Sequence, residues 1–288
     1  MKIAMIGLGV GKADGTYVGG HVNNIINLSR KLTEDGYEIH IFTTPPIYTS
    51  NSQPGTQVDC DIVIHRVGVW GDFSNPNLSF SISAAINIIK KLEEVHKKEK
   101  FDVLHGHSGF PWVALIPKIA KLLTGIPAIH TLYCPLKMKR LYLLMSKYCF
   151  NGIDVITVLS RNVENSLRII FPDDKIKLTP PLIDASNYNP SIRVSKSLDK
   201  DSPTLLYIGN LKKSKGLHVL IQALSIIKKN FPNIKLFMGL DIPSKKFLEG
   251  NFPIKDLIKS LGLSENVVPL GIIKNLPRIM AISDLFVV

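Results

Sequence analysis

Residues 1–21, MKIAMIGLGVGKADGTYVGGH, run from an apolar stretch through a spray of glycines to the start of a helix. Lys2–Ile6 reads as a buried strand. Val22–Leu32 carries apolar residues at Val22, Ile25, Ile26 and Leu32, a helical spacing, with Gly36 as a stop. Strand, glycine loop and helix in that order open a βαβ unit. The fingerprint of a dinucleotide loop, G-x-G-x-x-G, fails here. Counted from Gly7 or from Gly9, the third glycine falls on Lys12 or Asp14, and the next strand ends in Thr43-Thr44 without an acid. A nicotinamide or flavin is set aside on those grounds. Gly19 and Gly20 still stand directly before the helix. A helix N-terminus offers unpaired N–H groups, and glycine lets a phosphate approach them. Turn geometry alone would also account for these glycines, and the residues leave both readings open.

The same alternation continues along the chain. Glu38–Thr43, Ile62–Val67, Val103–His105, Ala128–Thr131 and Val155–Val158 read as short strands, with helical stretches such as Ser83–Leu92 between them. This implies a largely parallel sheet. Residues 184–202 are dominated by Asn, Pro, Ser, Lys and Asp and read as a linker. A second alternating series follows: strand Leu205–Ile208, helix Leu217–Lys228, strand Lys235–Met238, helix Phe252–Leu261, strand Val267–Leu270 and the start of another at Leu285–Val288. The length of 288 residues suits about two domains. We therefore expect an α/β protein with a domain over residues 1–185, a linker over 186–202 and a second domain over 203–288. Ligands of open parallel sheets lie beyond the strand carboxyl ends. Two such sheets facing a cleft would turn the loops after Ile6 and Ile208 toward it.

Composition narrows the partners. The formal net charge is +12, which suits an anionic ligand or surface, or simply a lysine-rich solvated exterior. Basic residues interleaved with stacking aromatics are missing, so nucleic acid is not expected. Cys60, Cys134 and Cys149 are odd in number and widely spaced, which argues against a disulfide framework or a structural zinc and for a reducing compartment. Strand-like sequence begins at once, and no apolar run approaches the roughly 20 residues of a membrane span. A cytoplasmic protein is expected.

The stretch LLYIGNLKKSKGLHVLIQAL (205–224) places Gly209, a short basic loop and Lys215-Gly216 between a strand and a helix. It resembles the signature of the group 1 glycosyltransferases, glycosyltransferase family 4. Four further stretches follow that family's order: GTYVGGHVNNIINLSRKLTEDGYEIHIFTT, FDVLHGHSGFP, DVITVLSRNVENSL and LTPPLIDASNYNP. ENVVPLGIIKNLPRIMAISDLFVV closes the series. The resemblance implies the GT-B fold, two Rossmann-like domains, the first on the acceptor side and the second binding the donor. It implies transfer of a sugar from a nucleotide-activated donor with retention at the anomeric carbon, without a metal and with no cofactor beyond the nucleotide-sugar. The acceptor would be lipid-linked, a saccharide or a small molecule.

Carried over by position, Lys215 matches the family's phosphate-contacting lysine, with Gly209, Asn210 and Gly216 beside it. Gly19 and Gly20 match the loop that meets the donor phosphate or the acceptor, and His107 matches a histidine lining the sugar site. The chain departs from the pattern in places. Asn210 stands where the family usually has arginine, Thr131-Leu132-Tyr133-Cys134 where members often read T-x-H-D, and Pro180-Pro181-Leu182-Ile183-Asp184 where the usual run is P-N-G-V-D. The sequence stops at Val288 before the family's E-x(7)-E segment. From this we expect an incomplete second domain, impaired transfer and self-association through an open strand edge. A catalytically inactive fragment or acceptor-binding module is the alternative function, and a nucleotide-sugar epimerase a weaker one. Finally, PLKMKRLYLLMSKYCF (135–150) mixes four cations with large apolar residues. It reads first as a helix packed on its own sheet with its lysines reaching outward. Peripheral contact with an anionic membrane surface at its inner face is the alternative.

Overall fold

Three aspartates show how neighbouring strands are joined within each sheet. Asp102, Asp154 and Asp284 each stand just before a strand. Each carboxylate accepts the first backbone N–H of the neighbouring parallel strand, from Lys2 at 2.7 Å, Ala128 at 2.8 Å and Thr204 at 2.7 Å. Each aspartate's own N–H donates back to the carbonyl of that same residue, at 2.9, 2.9 and 3.0 Å. A strand start that would otherwise leave a donor unpaired is closed from both sides.

A computed structural model of the chain describes residues 1–10, 20–45, 54–69, 78–183, 185, 188, 203–240, 242, 244–273 and 275–288. The chain divides into two compact units, Met1–Ile183 and Asp184–Val288. Most of the expected linker, 186–202, lies outside the described residues, as does Gly19.

The first unit runs β1 (Lys2–Gly7), α1 (Gly20–Glu34), β2 (Glu38–Thr43), β3 (Gly55–Asp59), β4 (Ile62–Arg66), α2 (Leu78–Glu99), β5 (Val103–Ser108), α3 (Leu115–Thr124), β6 (Ala128–Leu132), α4 (Arg140–Phe150), β7 (Val155–Val158), α5 (Arg161–Arg168) and β8 (Ile176–Leu178). Its sheet has the order β3-β4-β2-β1-β5-β6-β7-β8. All neighbours are parallel except β3, which pairs antiparallel with β4. Period-two alternation divides the core between the two faces. Ile3 and Met5 pack with Val22, Ile25 and Ile26 of α1. Ala4 and Ile6 join the larger cluster on the other face, with Ile88, Leu104, Ile116 and Phe150. A helical face and a strand face that are both apolar hold each other by burial, about 1.5–3 kcal/mol for each fully buried large side chain.

The second unit runs β9 (Thr204–Gly209), α6 (Leu217–Ile227), β10 (Lys235–Leu240), α7 (Ser244–Glu249), α8 (Pro253–Ser260), β11 (Val267–Gly271), α9 (Leu276–Ala281) and β12 (Leu285–Val287). Its parallel sheet has the order β11-β10-β9-β12. Leu205, Leu236 and Met238 pack with Ile221, Leu224, Phe247 and Ile258. The α/β class and the Rossmann-like form of both units agree with the sequence reading. The strand β3 that makes a hairpin with β4, the edge strand β8 and the helices α7 and α9 were not anticipated.

Candidate functional site

In the first sheet β1 lies between β2 and β5, so the strand order reverses beside it. Such a switch point opens a crevice at the strand carboxyl ends. Gly7 and His107 are register partners there. The backbone after β1 is tied to the end of β2. Thr44 Oγ1 accepts the Gly9 N–H at 3.0 Å and Thr43 Oγ1 the Val10 N–H at 2.8 Å. Gly9 takes φ 75°, a left-handed conformation suited to glycine. A Cβ on Gly7 would collide with Ile25 Cδ1, so glycine also lets α1 lie close to the strand end.

Gly20 opens α1, and one turn of that helix reaches the crevice. The Tyr133 hydroxyl sits at the centre. It accepts from Asn24 Nδ2 at 3.0 Å, lies 3.1 Å from His107 Nδ1, and lies 3.4 Å from the His21 carbonyl. Asn24 has already used the hydroxyl as acceptor, so the hydroxyl hydrogen has two places to go. The nearer is His107 Nδ1. Donation there puts the imidazole proton on Nε2. His107 is 1% exposed, and among the described residues its Nε2 has no hydrogen-bond partner. In that tautomer the crevice holds a buried N–H with no acceptor among the described residues, which an incoming oxygen would satisfy. Burial, with the neighbouring rings of His105, His130 and His21, holds the His107 pKa well below the usual range, so the ring is neutral. Burial pushes the Tyr133 hydroxyl well above its ordinary range, so it stays protonated.

The second sheet repeats the arrangement with different chemistry. β9 lies between β10 and β12 and ends at Gly209. A Cβ there would stand 2.5 Å from the Tyr207 hydroxyl, which donates to the Asn210 carbonyl at 3.2 Å. Asn210 Oδ1 accepts the Lys212 N–H at 3.1 Å, an Asx-type turn. A short 3₁₀ turn, Lys213–Lys215, leads to Gly216, which caps α6 at φ 70°. Glycine fits this left-handed cap, but it brings no side chain to the first-turn N–H groups of α6. Lys212, Lys213 and Lys215 are all exposed.

His107 therefore meets Tyr133 in the first unit, with Gly20 at the start of α1 one residue before His21, while Gly209, Asn210, Lys215 and Gly216 lie along one continuous turn in the second. Sequence reasoning noted Tyr133 as a departure without giving it a role, and it passed over Asn24 and His21. Asn24 was findable as the polar residue inside the apolar stripe Val22, Ile25, Ile26. One other cluster, Glu38, His40 and Glu99, has carboxylates and an imidazole within metal-ligating reach among the described residues. The Lys2 ammonium already lies 2.9 Å from Glu38 and 2.8 Å from Glu99. That cation answers the carboxylate charge, at the end of the sheet opposite the crevice.

Two doubly wound units, each with a glycine turn at a switch point, define the GT-B class. The sequence profile described as Glycosyltransferase Family 4 matches residues 18–187, and that described as Glycosyl transferases group 1 matches 189–288. The chain belongs to glycosyltransferase family 4 of the group 1 glycosyltransferases. It is 25% identical over 234 residues to the D-inositol 3-phosphate glycosyltransferase of Pseudarthrobacter chlorophenolicus, covering 74% of this chain and 54% of that one. It is 25% identical over 279 residues to the N-acetyl-alpha-D-glucosaminyl L-malate synthase of Bacillus anthracis, covering 90% and 66%. The chain thus spans about half to two thirds of the length of these curated relatives. Among solved structures, the sucrose-phosphate synthase of Thermosynechococcus elongatus shares the fold at TM-score 0.74 and 16% identity, covering 99% of this chain and 74% of that one. Anabaena HepE in complex with UDP-glucose does so at TM-score 0.67 and 15% identity, covering 99% and 73%. No helix among the described residues is long and apolar enough to cross a membrane.

Proposed function

We propose that the protein takes part in transferring a sugar, with retention at the anomeric carbon, from a nucleoside-diphosphate donor to a lipid-linked, saccharide or small-molecule acceptor. The observation that carries this reading is the turn Gly209–Gly216 at the N-terminus of α6. Departure of a nucleoside diphosphate builds negative charge, and fixed positive groups must meet it. Lys215 stands directly before the Gly216 cap, and the uncapped first turn of α6 adds its N–H groups and dipole. Asn210 in place of the family's usual arginine leaves one fewer cation, so more of the charge falls to Lys215. The second unit would hold the donor. The first would serve the acceptor side, its buried His107 Nε2–H donating to a sugar or acceptor oxygen.

Titration calorimetry of the full chain with UDP, and separately with GDP, tests the donor assignment. A charge-assisted phosphate contact is worth about 1.5–3 kcal/mol, so Lys215→Ala should weaken the better-bound nucleotide by roughly 10- to 100-fold. Lys212→Ala and Lys213→Ala should cost less than about 3-fold, as exposed cations near an anion do. Equal losses for all three would reduce the turn to a diffuse basic patch. Nucleotide binding without sugar transfer in a panel of acceptors would favour a binding module.

A further inference from the structure

α4 has two faces of unlike purpose. Ser146, Cys149 and Phe150 are buried, and the Phe150 ring packs edge-on against His130 and Phe171. The opposite face carries Leu141, Leu144, Met145 and Tyr148. Their i, i+3, i+4, i+7 spacing makes one stripe along the helix. All four are exposed, Leu141 at 80% and Tyr148 at 67%. Met138, just before the helix, and Ile169 extend the apolar surface, and both line a shallow groove with Leu144, Arg140 and Lys147. A single exposed leucine needs no explanation, but a contiguous stripe marks a place where something docks. The sequence reading that this helix merely packs inward with its lysines reaching outward is therefore half right. It packs inward, but its outward face is apolar.

The segment that carries the stripe has charge of one sign. From Val103 to Ile153 the sequence has no aspartate or glutamate, and it holds Lys118, Lys121, Lys137, Lys139, Arg140 and Lys147. Lys121 is answered by Asp154. Lys137, Lys139, Arg140 and Lys147 are exposed around the stripe. The Lys118 ammonium lies 4.0 Å from the centre of the Tyr148 ring and donates to the Tyr148 carbonyl at 2.7 Å.

We propose that this face docks the protein on an anionic phospholipid bilayer. α4 lies in the plane of the headgroups, with Leu141, Leu144 and Tyr148 immersed and the surrounding cations meeting lipid phosphates. An apolar stripe flanked by lysine and arginine is the form that holds a helix at such an interface. Anionic lipid supplies the charge that residues 103–153, which hold no acid, lack. A second copy of the chain fits poorly, because it would press two cationic faces together. The side chains also stand out from a convex helix, which suits a fluid surface. This inference is separate from the glycosyl-transfer reading, since vesicle binding needs no donor and either can fail alone.

Co-sedimentation of the full chain with vesicles tests it, using equal parts phosphatidylglycerol and phosphatidylcholine against phosphatidylcholine alone. We expect at least roughly ten-fold stronger partitioning to the anionic vesicles, weakening as salt is added. Each cation near such a surface is worth about five-fold, so Lys139→Glu with Arg140→Glu should lose at least roughly 25-fold from the two lost cations, and more from the reversed charge. Leu141→Ser with Leu144→Ser should lose at least about ten-fold. Lys229→Glu with Lys259→Glu, on exposed positions of the second unit, changes net charge equally and should cost under about three-fold. All these sites are exposed, and unchanged thermal melts would confirm intact folding. Equal binding to both vesicle types, or equal losses in the control and the α4 charge variant, would overturn the proposal. So would a dimer in solution that the two leucine substitutions abolish, because a second copy would then cover the face.

Discussion

The first unit is expected to unfold cooperatively as the pH falls from about 6 toward 4, while the second unit keeps its fold. Seven of the eight histidines lie in the first unit and His218 alone in the second. His65, His107 and His130 are buried. Burial, with His40 and Lys91 nearby, lowers His65 to about 4. Burial and the neighbouring His105 lower His130 to about 3, and His107 also stands well below the usual range. Folded, these rings are neutral near pH 5. Unfolded, each takes up a proton below about 6.5. Their contribution is therefore complete above pH 6.5 and is lost as the pH falls toward the folded values. Each such histidine costs about 1.4 kcal/mol per pH unit in that window, so three cost roughly 4 kcal/mol per unit. A domain stable by about 5–15 kcal/mol cannot survive much of that descent. Both tryptophans, Trp70 and Trp112, belong to the first unit, so their fluorescence reports its unfolding against total circular dichroism. Burial lowers His105 to about 4 as well, so His65→Gln should remove about a quarter of the histidine slope in urea titrations across the window. A pH slope shared equally by both units would show that carboxylates set it instead.

The legible parts of this fold were those whose residues speak locally. The Lys2–Ile6 run, the stripe on α1 and the glycine–basic loop–glycine run after β9 each state their element, and the structure has all three. What stayed hidden depends on partners distant in the chain. The hairpin β3–β4 turns at Cys60 and Asp61, both at positive φ (51° and 61°). Hairpins of this kind usually announce themselves with Asn-Gly or Asp-Gly. Here strand pairing imposes the conformation on residues that do not advertise it. The outward face of α4 was hidden for a different reason. Its apolar and basic residues are plain in the sequence, but which of them meet the sheet is decided by how Phe150 and Cys149 pack. Likewise His107 was found through family resemblance, whereas Tyr133 and Asn24 become partners only when β6 and α1 meet, 109 residues apart in sequence.

Replacing Tyr133 with phenylalanine should therefore do more than remove one hydroxyl. The ring still fits, but Asn24 Nδ2 loses its acceptor and His107 Nδ1 its donor, both inside the crevice. Asn24 and His107 are buried, so neither recovers a bond to bulk water. Each buried group left unpaired costs about 1–3 kcal/mol, and Tyr133→Phe should destabilise the first unit by roughly 2–5 kcal/mol. The tautomer of His107 supplies a readout that general destabilisation would not mimic. In the unchanged protein, nitrogen-15 spectra of the histidine rings should show His107 protonated at Nε2 with a hydrogen-bonded Nδ1. In Tyr133→Phe the Nδ1 signal should move to that of an unbonded ring nitrogen. Tyr133→His, which installs the residue that the T-x-H-D pattern of the family resemblance places here, should recover part of the lost stability by giving Asn24 an acceptor again. If His107 instead carries its proton on Nδ1 in the unchanged protein, then Tyr133 accepts from both Asn24 and His107. Its own hydrogen must then go to the His21 carbonyl, and the crevice offers an incoming ligand a bare nitrogen acceptor. A site of that kind would select a hydroxyl donor on the ligand rather than a phosphate or carboxylate oxygen. The same spectrum thus decides which chemical group the first unit is built to receive.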